Sequence, residues 1–235
     1  MIDVGLLATI VIVLTVPSVF VPAWPASAAP SGVFDLSLGA LFVGLAVGRL
    51  AALALDDPGS LTSVSDLLIV RSGVEFWPGA AAGLVWIAVR ARGDEVAPSR
   101  RLAAISSPAL VAWACYEATC ILREGCPGPL SALGLRPEGL VETAFPIGLV
   151  VAAAAVGVAV VGRRWHQRGA PDLEVVVMAL FSIAFIRSVA SIWLPHIGNG
   201  MTRQHKTSIA VAVISAIAFV VVRRRRPGPL IPGGS

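Results

Sequence analysis

The chain has 235 residues, 56% of them apolar and only 14% charged, with a formal net charge of +4. A soluble domain carries about 25% charged residues because its surface faces water, so a water-soluble particle is excluded. The basic excess sits in short blocks beside apolar runs, which excludes a nucleic-acid partner and points to a polytopic membrane protein.

Continuous apolar runs without alternating strand-like segments predict helices rather than a barrel. The fold expected is all-α, a single integral membrane domain over residues 1–235 with seven transmembrane helices. Residues 4–21 form the first span, and Pro22, Pro25 and Pro30 break the chain behind it. The second, 35–55, contains Arg49, and the third, 76–89, is short, with Gly73 before it and Pro78 inside it. The fourth, 102–122, carries Glu117, and the fifth, 143–162, carries no charge. The sixth, 175–194, contains Arg187, and 207–222 is the seventh. No internal repeat stands out.

Orientation follows from the arginines. Arg90, Arg92, Arg100 and Arg101 lie between spans three and four, Arg163, Arg164 and Arg168 between five and six, and Arg223–Arg226 after seven. Seven spans put all three blocks on one side, which the positive-inside rule makes cytoplasmic, with the N-terminus outside. Ala26-Ser27-Ala28 looks like a signal-peptidase site, but no basic region precedes the first apolar run, so that run reads as a membrane helix. Only Lys206 among the 18 basic residues is a lysine, and with the wealth of Ala, Gly and Val this points to a GC-rich bacterial genome.

Ionisable residues inside a span are costly and face a bundle interior or a wet cavity. Here they are Arg49, Glu117 and Arg187, with Arg71 and Glu75 near an end. They fit either a polar cavity for an anionic headgroup, with Arg49 and Arg187 binding it, or a packing ion pair between Glu117 and Arg187, or arginines snorkelling to an interface. Cys115, Cys120 and Cys126 do not show metal-ligand spacing, and no metal or other cofactor is expected. Cys120 and Cys126 fall on the outer side, where a disulfide could persist if the chain unwinds near Glu124-Gly125; buried free thiols are the alternative. His166, His196 and His205 lie at span ends or in loops, and sequence spacing nominates no catalytic set.

Several stretches, in order, resemble the prolipoprotein diacylglyceryl transferase family, seven-span enzymes that move diacylglycerol from phosphatidylglycerol onto a lipobox cysteine. Phe34-Asp35-Leu36 through Gly48-Arg49-Leu50 looks like the family's Gly-Ala/Gly-Arg helix. The stretch from Arg71 through Glu75-Phe76-Trp77-Pro78-Gly79 is similar to its Gly-Gly-Met-Ser-Phe-His-Gly-Gly segment. Glu117 to Gly128 matches the length of its Gly-Arg-Ile-Gly-Asn-Phe signature, and some relatives carry cysteines where Cys120 and Cys126 fall. Arg136-Pro137-Glu138-Gly139-Leu140-Val141-Glu142 resembles its His-Pro-Ser-Gln-Leu-Tyr-Glu. Phe185-Ile186-Arg187 looks like its late Phe-Arg, and Met201-Thr202-Arg203-Gln204 like its Thr-x-x-Gln.

The departures fall on the reactive positions. Val4 stands where the family has tyrosine, Trp77 where it has histidine, Glu117 where its signature has arginine, and Gly125 where an acidic residue follows. Trp77 cannot take a proton, and diacylglyceryl transfer needs a base for the thiol and cations for the phosphate leaving group. A carboxylate about 4 Å from a phosphate costs roughly 4 kcal/mol at an effective dielectric of about 20, where an arginine would gain as much. The resemblance therefore implies a plasma-membrane protein that keeps the fold without the chemistry, and that binds membrane phospholipid or serves as a subunit of a membrane complex. The alternative is a working diacylglyceryl or other acyl transferase in lipoprotein biosynthesis, using a shifted set such as Glu75, Glu117 and Arg187.

Overall fold

The computed structural model describes residues 4–20, 32–62, 73–93, 96–123, 128–136, 143–193 and 201–225. Seven α-helices appear in these residues: α1 Val4–Phe20, α2 Val33–Asp56, α3 Phe76–Arg90, α4 Pro98–Ala118, α5 Ile147–Gln167, α6 Asp172–Ala190 and α7 Arg203–Arg224. Five of them, α2 and α4 to α7, are long and apolar enough to cross a membrane. The 15 residues of α3 rise only about 22 Å, short of a hydrocarbon core of roughly 30 Å. Large apolar side chains, among them Phe42, Val161 and Ile214, point outward from the bundle. A surface of this kind belongs in lipid. The protein is a multi-pass membrane protein.

The helices run past the apolar windows that predicted them. Helix α7 begins at Arg203 rather than 207 because Thr202 caps it, its hydroxyl accepting the backbone N–H of His205 at 3.2 Å. Helix α4 begins at Pro98 instead of 102, a proline suited to a first turn that needs no N–H donor there. Helix α5 starts later than expected, at Ile147 rather than 143. The residues before it are held in strand pairing: the Ser131 N–H donates to the Thr143 carbonyl at 3.0 Å and the Phe145 N–H to the Pro129 carbonyl at 2.9 Å. Their partner is a short strand, β1 Leu130–Leu135, which the apolar pattern did not announce.

Helix α2 crosses α3 so closely that the backbones nearly touch. A Cβ added to Gly79 would lie 2.6 Å from the Gly44 carbonyl oxygen, and one on Gly48 would lie 2.7 Å from the Glu75 carbonyl oxygen. Gly44 and Gly48 on α2 face Gly79 and, one turn on, Gly83 against Ala40 on the antiparallel neighbour. Small residues four apart on both helices permit this approach, which in lipid supplies van der Waals attraction that large side chains would block. The Glu75 N–H completes the crossing by donating to the Gly48 carbonyl at 3.0 Å.

A central core of Leu110, Val111, Trp113 and Ala114 on α4 packs on Ile147, Val151, Ala152 and Ala155 of α5 and Ala179 of α6. At one end of the bundle, Ile87 of α3 packs with Ala104 and Ile105 of α4, and Ala103 of α4 with Val175 and Val176 of α6. Trp165 of α5 meets Phe219 of α7 at 6.0 Å between ring centroids. That end gathers Arg90, Arg100, Arg101, Arg163, Arg164, Arg223 and Arg224, the terminal residues of helices that share it. The opposite end holds the last turns of α2, α4 and α6 and the first turns of α3 and α7.

Candidate functional site

Charged side chains of both signs converge at that opposite end. Glu75, immediately before α3 and only 7% exposed, binds Arg203 of α7. Arg203 Nε donates to Glu75 Oε1 at 3.0 Å, and its Nη2 reaches both Glu75 and Asp56, the latter through two contacts of 3.0 Å. One guanidinium thus ties together the end of α2, the start of α3 and the start of α7. Its planar fork suits it to holding two carboxylates at once.

Arg49, 5% exposed, donates from Nη1 to the Gly73 carbonyl at 3.1 Å. Gly73 takes a φ of 79°, a left-handed turn that favours glycine, and Arg49 grips that turn just ahead of α3. The Arg49 contact thus braces the frame of the site.

Arg187, in the last turn of α6, stands over the Phe76 ring with its guanidinium carbon 4.1 Å from the centroid. This is cation–π geometry, and the cation also suits the negative end of its own helix. Phe76 stands edge-on to Trp77 at 5.0 Å and tilted against Trp113 at 6.4 Å. Trp113 donates its indole N–H to Glu117 Oε1 at 2.9 Å, one turn along α4. Glu117 and Glu75 are both within electrostatic range of Arg187.

Glu117 and Arg187 are electrostatic neighbours without a salt bridge among the described residues. The direct pair that sequence reasoning offered is not formed there, because each group has another anchor: Trp113 holds the carboxylate and the Phe76 ring takes the guanidinium. Trp77 donates its indole N–H to the buried Ser208 hydroxyl at 2.9 Å, linking α3 to α7. Val4 lies in α1. Gly125, Glu142, Arg71 and Cys126 lie outside the described residues.

Helix α4 gives way at Thr119 to a 3-10 turn, Thr119–Arg123, which contains Cys120. Cys120 is disulfide-bonded and Cys115 is a free thiol. Gly148, at the start of α5, fits against this turn so closely that a Cβ would lie 2.8 Å from Cys120 Sγ. Among the described residues no group of three or more His, Cys, Asp or Glu side chains could hold a metal ion.

Sequence reasoning missed Trp113, Ser208 and the pairing of Arg203 with Glu75. A spacing signal existed only for Trp113, which stands four residues before Glu117 and so on the same face of a helix. The chain matches no protein-family model and no curated protein.

Proposed function

We propose that this is a prolipoprotein diacylglyceryl transferase-like protein of the bacterial plasma membrane that has lost the transfer reaction and acts as a lipid-binding or scaffold subunit of a membrane complex. In this reading the seven helices are seven spans, with the N-terminus outside and the arginine-rich end in the cytoplasm. The observation that carries it is the state of the two replaced positions: Trp77 spends its one polar hydrogen on Ser208, and Glu117 accepts from Trp113. Trp77 lacks the proton affinity of the histidine it replaces, and Glu117 lacks the positive charge of the arginine it replaces. Arg203 is bound by Asp56 and Glu75, and Glu117 and Glu75 lie within electrostatic range of Arg187, so a phosphodiester anion at either arginine meets negative charge as well as positive. Arg187 is the candidate headgroup contact.

The test is complementation of cells depleted of their own diacylglyceryl transferase. The expected result is no lipoprotein modification and no rescue of growth, with the chain present in the membrane at normal level. Rescue would overturn the reading and favour the shifted site. Purification from native membranes should then retain phospholipid or a stoichiometric protein partner.

A further inference from the structure

Arg187 and Glu117 are both half-buried and opposite in charge, and they rest on the two rings of one aromatic pair, Phe76 and Trp113, whose centroids are 6.4 Å apart. The guanidinium carbon stands 4.1 Å from the Phe76 ring centroid, and among the described residues none of its N–H groups has a hydrogen-bond acceptor. Glu117 accepts from Trp113 at Oε1, while Oε2 has no donor among the described residues. A charged group withdrawn from water needs hydrogen bonds as well as a countercharge. Here each anchor engages only part of its charged group, and the rest has no hydrogen-bond partner among the described residues. We propose that this open pair receives a zwitterionic phospholipid headgroup bearing a primary ammonium, with Arg187 on the phosphate and Glu117 on the ammonium. The proposal rests on the lipid-binding reading above and names its ligand class.

Three features favour a zwitterion over an anionic headgroup. First, Glu117 would stand beside any phosphate that Arg187 bound, which repels a headgroup with no cation of its own. Second, Glu117 sits in the last turn of α4, where the helix end adds negative partial charge; this disfavours a carboxylate but favours an ammonium placed against it. Third, a primary ammonium offers three N–H donors, which a carboxylate oxygen can accept in a charge-assisted bond. A quaternary ammonium offers none and would rely on ring faces alone. The phosphate and ammonium of such a lipid are joined by a two-carbon link, so one headgroup presents both charges to one pair.

The full-length protein, reconstituted in nanodiscs with equal amounts of phosphatidylethanolamine, phosphatidylglycerol and phosphatidylcholine, would be released for native mass spectrometry and its retained lipids counted. The expected result is at least a five-fold preference for phosphatidylethanolamine over each of the others. Glu117→Gln should bring the ratio to phosphatidylglycerol close to one, and Arg187→Gln should lower retention of all three. If either variant fails to fold, the wild-type ratio decides by itself. Preference for phosphatidylglycerol, or equal retention of the three, overturns this inference and leaves the lipid-binding reading standing. Retention of no lipid overturns both. Soluble phosphoethanolamine at matched concentration should not displace the lipid; full displacement would overturn a membrane lipid as the source of the headgroup.

Discussion

Trp77 and Ser208 meet across the bundle, the indole N–H donating to the hydroxyl oxygen at 2.9 Å although 131 residues separate them in the chain. Ser208 is 1% exposed, so its hydroxyl has no water as an alternative partner. Ser208→Ala should leave the indole N–H unsatisfied and cost about 1–3 kcal/mol, seen as a lower melting temperature in detergent. Trp77→Phe with Ser208→Ala removes both partners and should lose less hydrogen-bonding energy than the single serine change implies. A single change as mild as one on the outer face would show that the bond contributes nothing.

Gly79 is the tightest point of the α2–α3 crossing. Gly79→Ala would drive a methyl group towards the Gly44 carbonyl, a backbone atom that cannot swing aside. Helix separation should follow, at about 1–3 kcal/mol. Gly157 of α5 has open space where its Cβ would stand, so Gly157→Ala is the matched control and should leave thermal stability unchanged or slightly raised. Equal losses in the two variants would mean that the crossing is not the close one described.

Arg203 holds two carboxylates of different exposure, and the two should not count equally. The Glu75 side chain is 9% exposed and that of Asp56 48%. Asp56→Asn should cost no more than about 1 kcal/mol and less in high salt, since the pair lies in water. Glu75→Gln leaves a buried polar group facing a guanidinium it no longer neutralises, and should cost more, on the order of 2 kcal/mol. Melting curves of both variants at low and high salt distinguish the contributions; identical salt dependence would sink the distinction.

Topology reporters address the arginine-rich end. Fusions after Arg168 and after Arg225 should both report the cytoplasm, because α5 and α7 end at the same side of the bundle. Opposite readings would require that one of the intervening helices does not span the membrane.

Local sequence was enough to read out the helices in order, their membrane setting and the unusual residues within them. Apolar runs near 20 residues can be stable in lipid only as helices, because the backbone must satisfy its own hydrogen bonds there. Arg49, Glu117 and Arg187 stood out because a charge is rare in such a run. The boundaries were less legible, since helices such as α4 and α7 continue through polar first turns that a hydrophobic window discards. Gly44 with Gly48, and Gly79 with Gly83, stand four apart in the sequence, a small-residue spacing that the sequence reading passed over and the helix crossing gives its meaning. What only the tertiary structure decided is which groups meet. Glu117 rests on Trp113, Arg187 on Phe76, Arg49 on the Gly73 carbonyl and Arg203 on Glu75. Apart from the first, these partners lie on different segments, and their distances depend on how closely the helices pack and how each is rotated about its axis. Hydrophobic periodicity constrains neither strongly in lipid, where an apolar side chain is equally at ease facing a neighbour or the membrane.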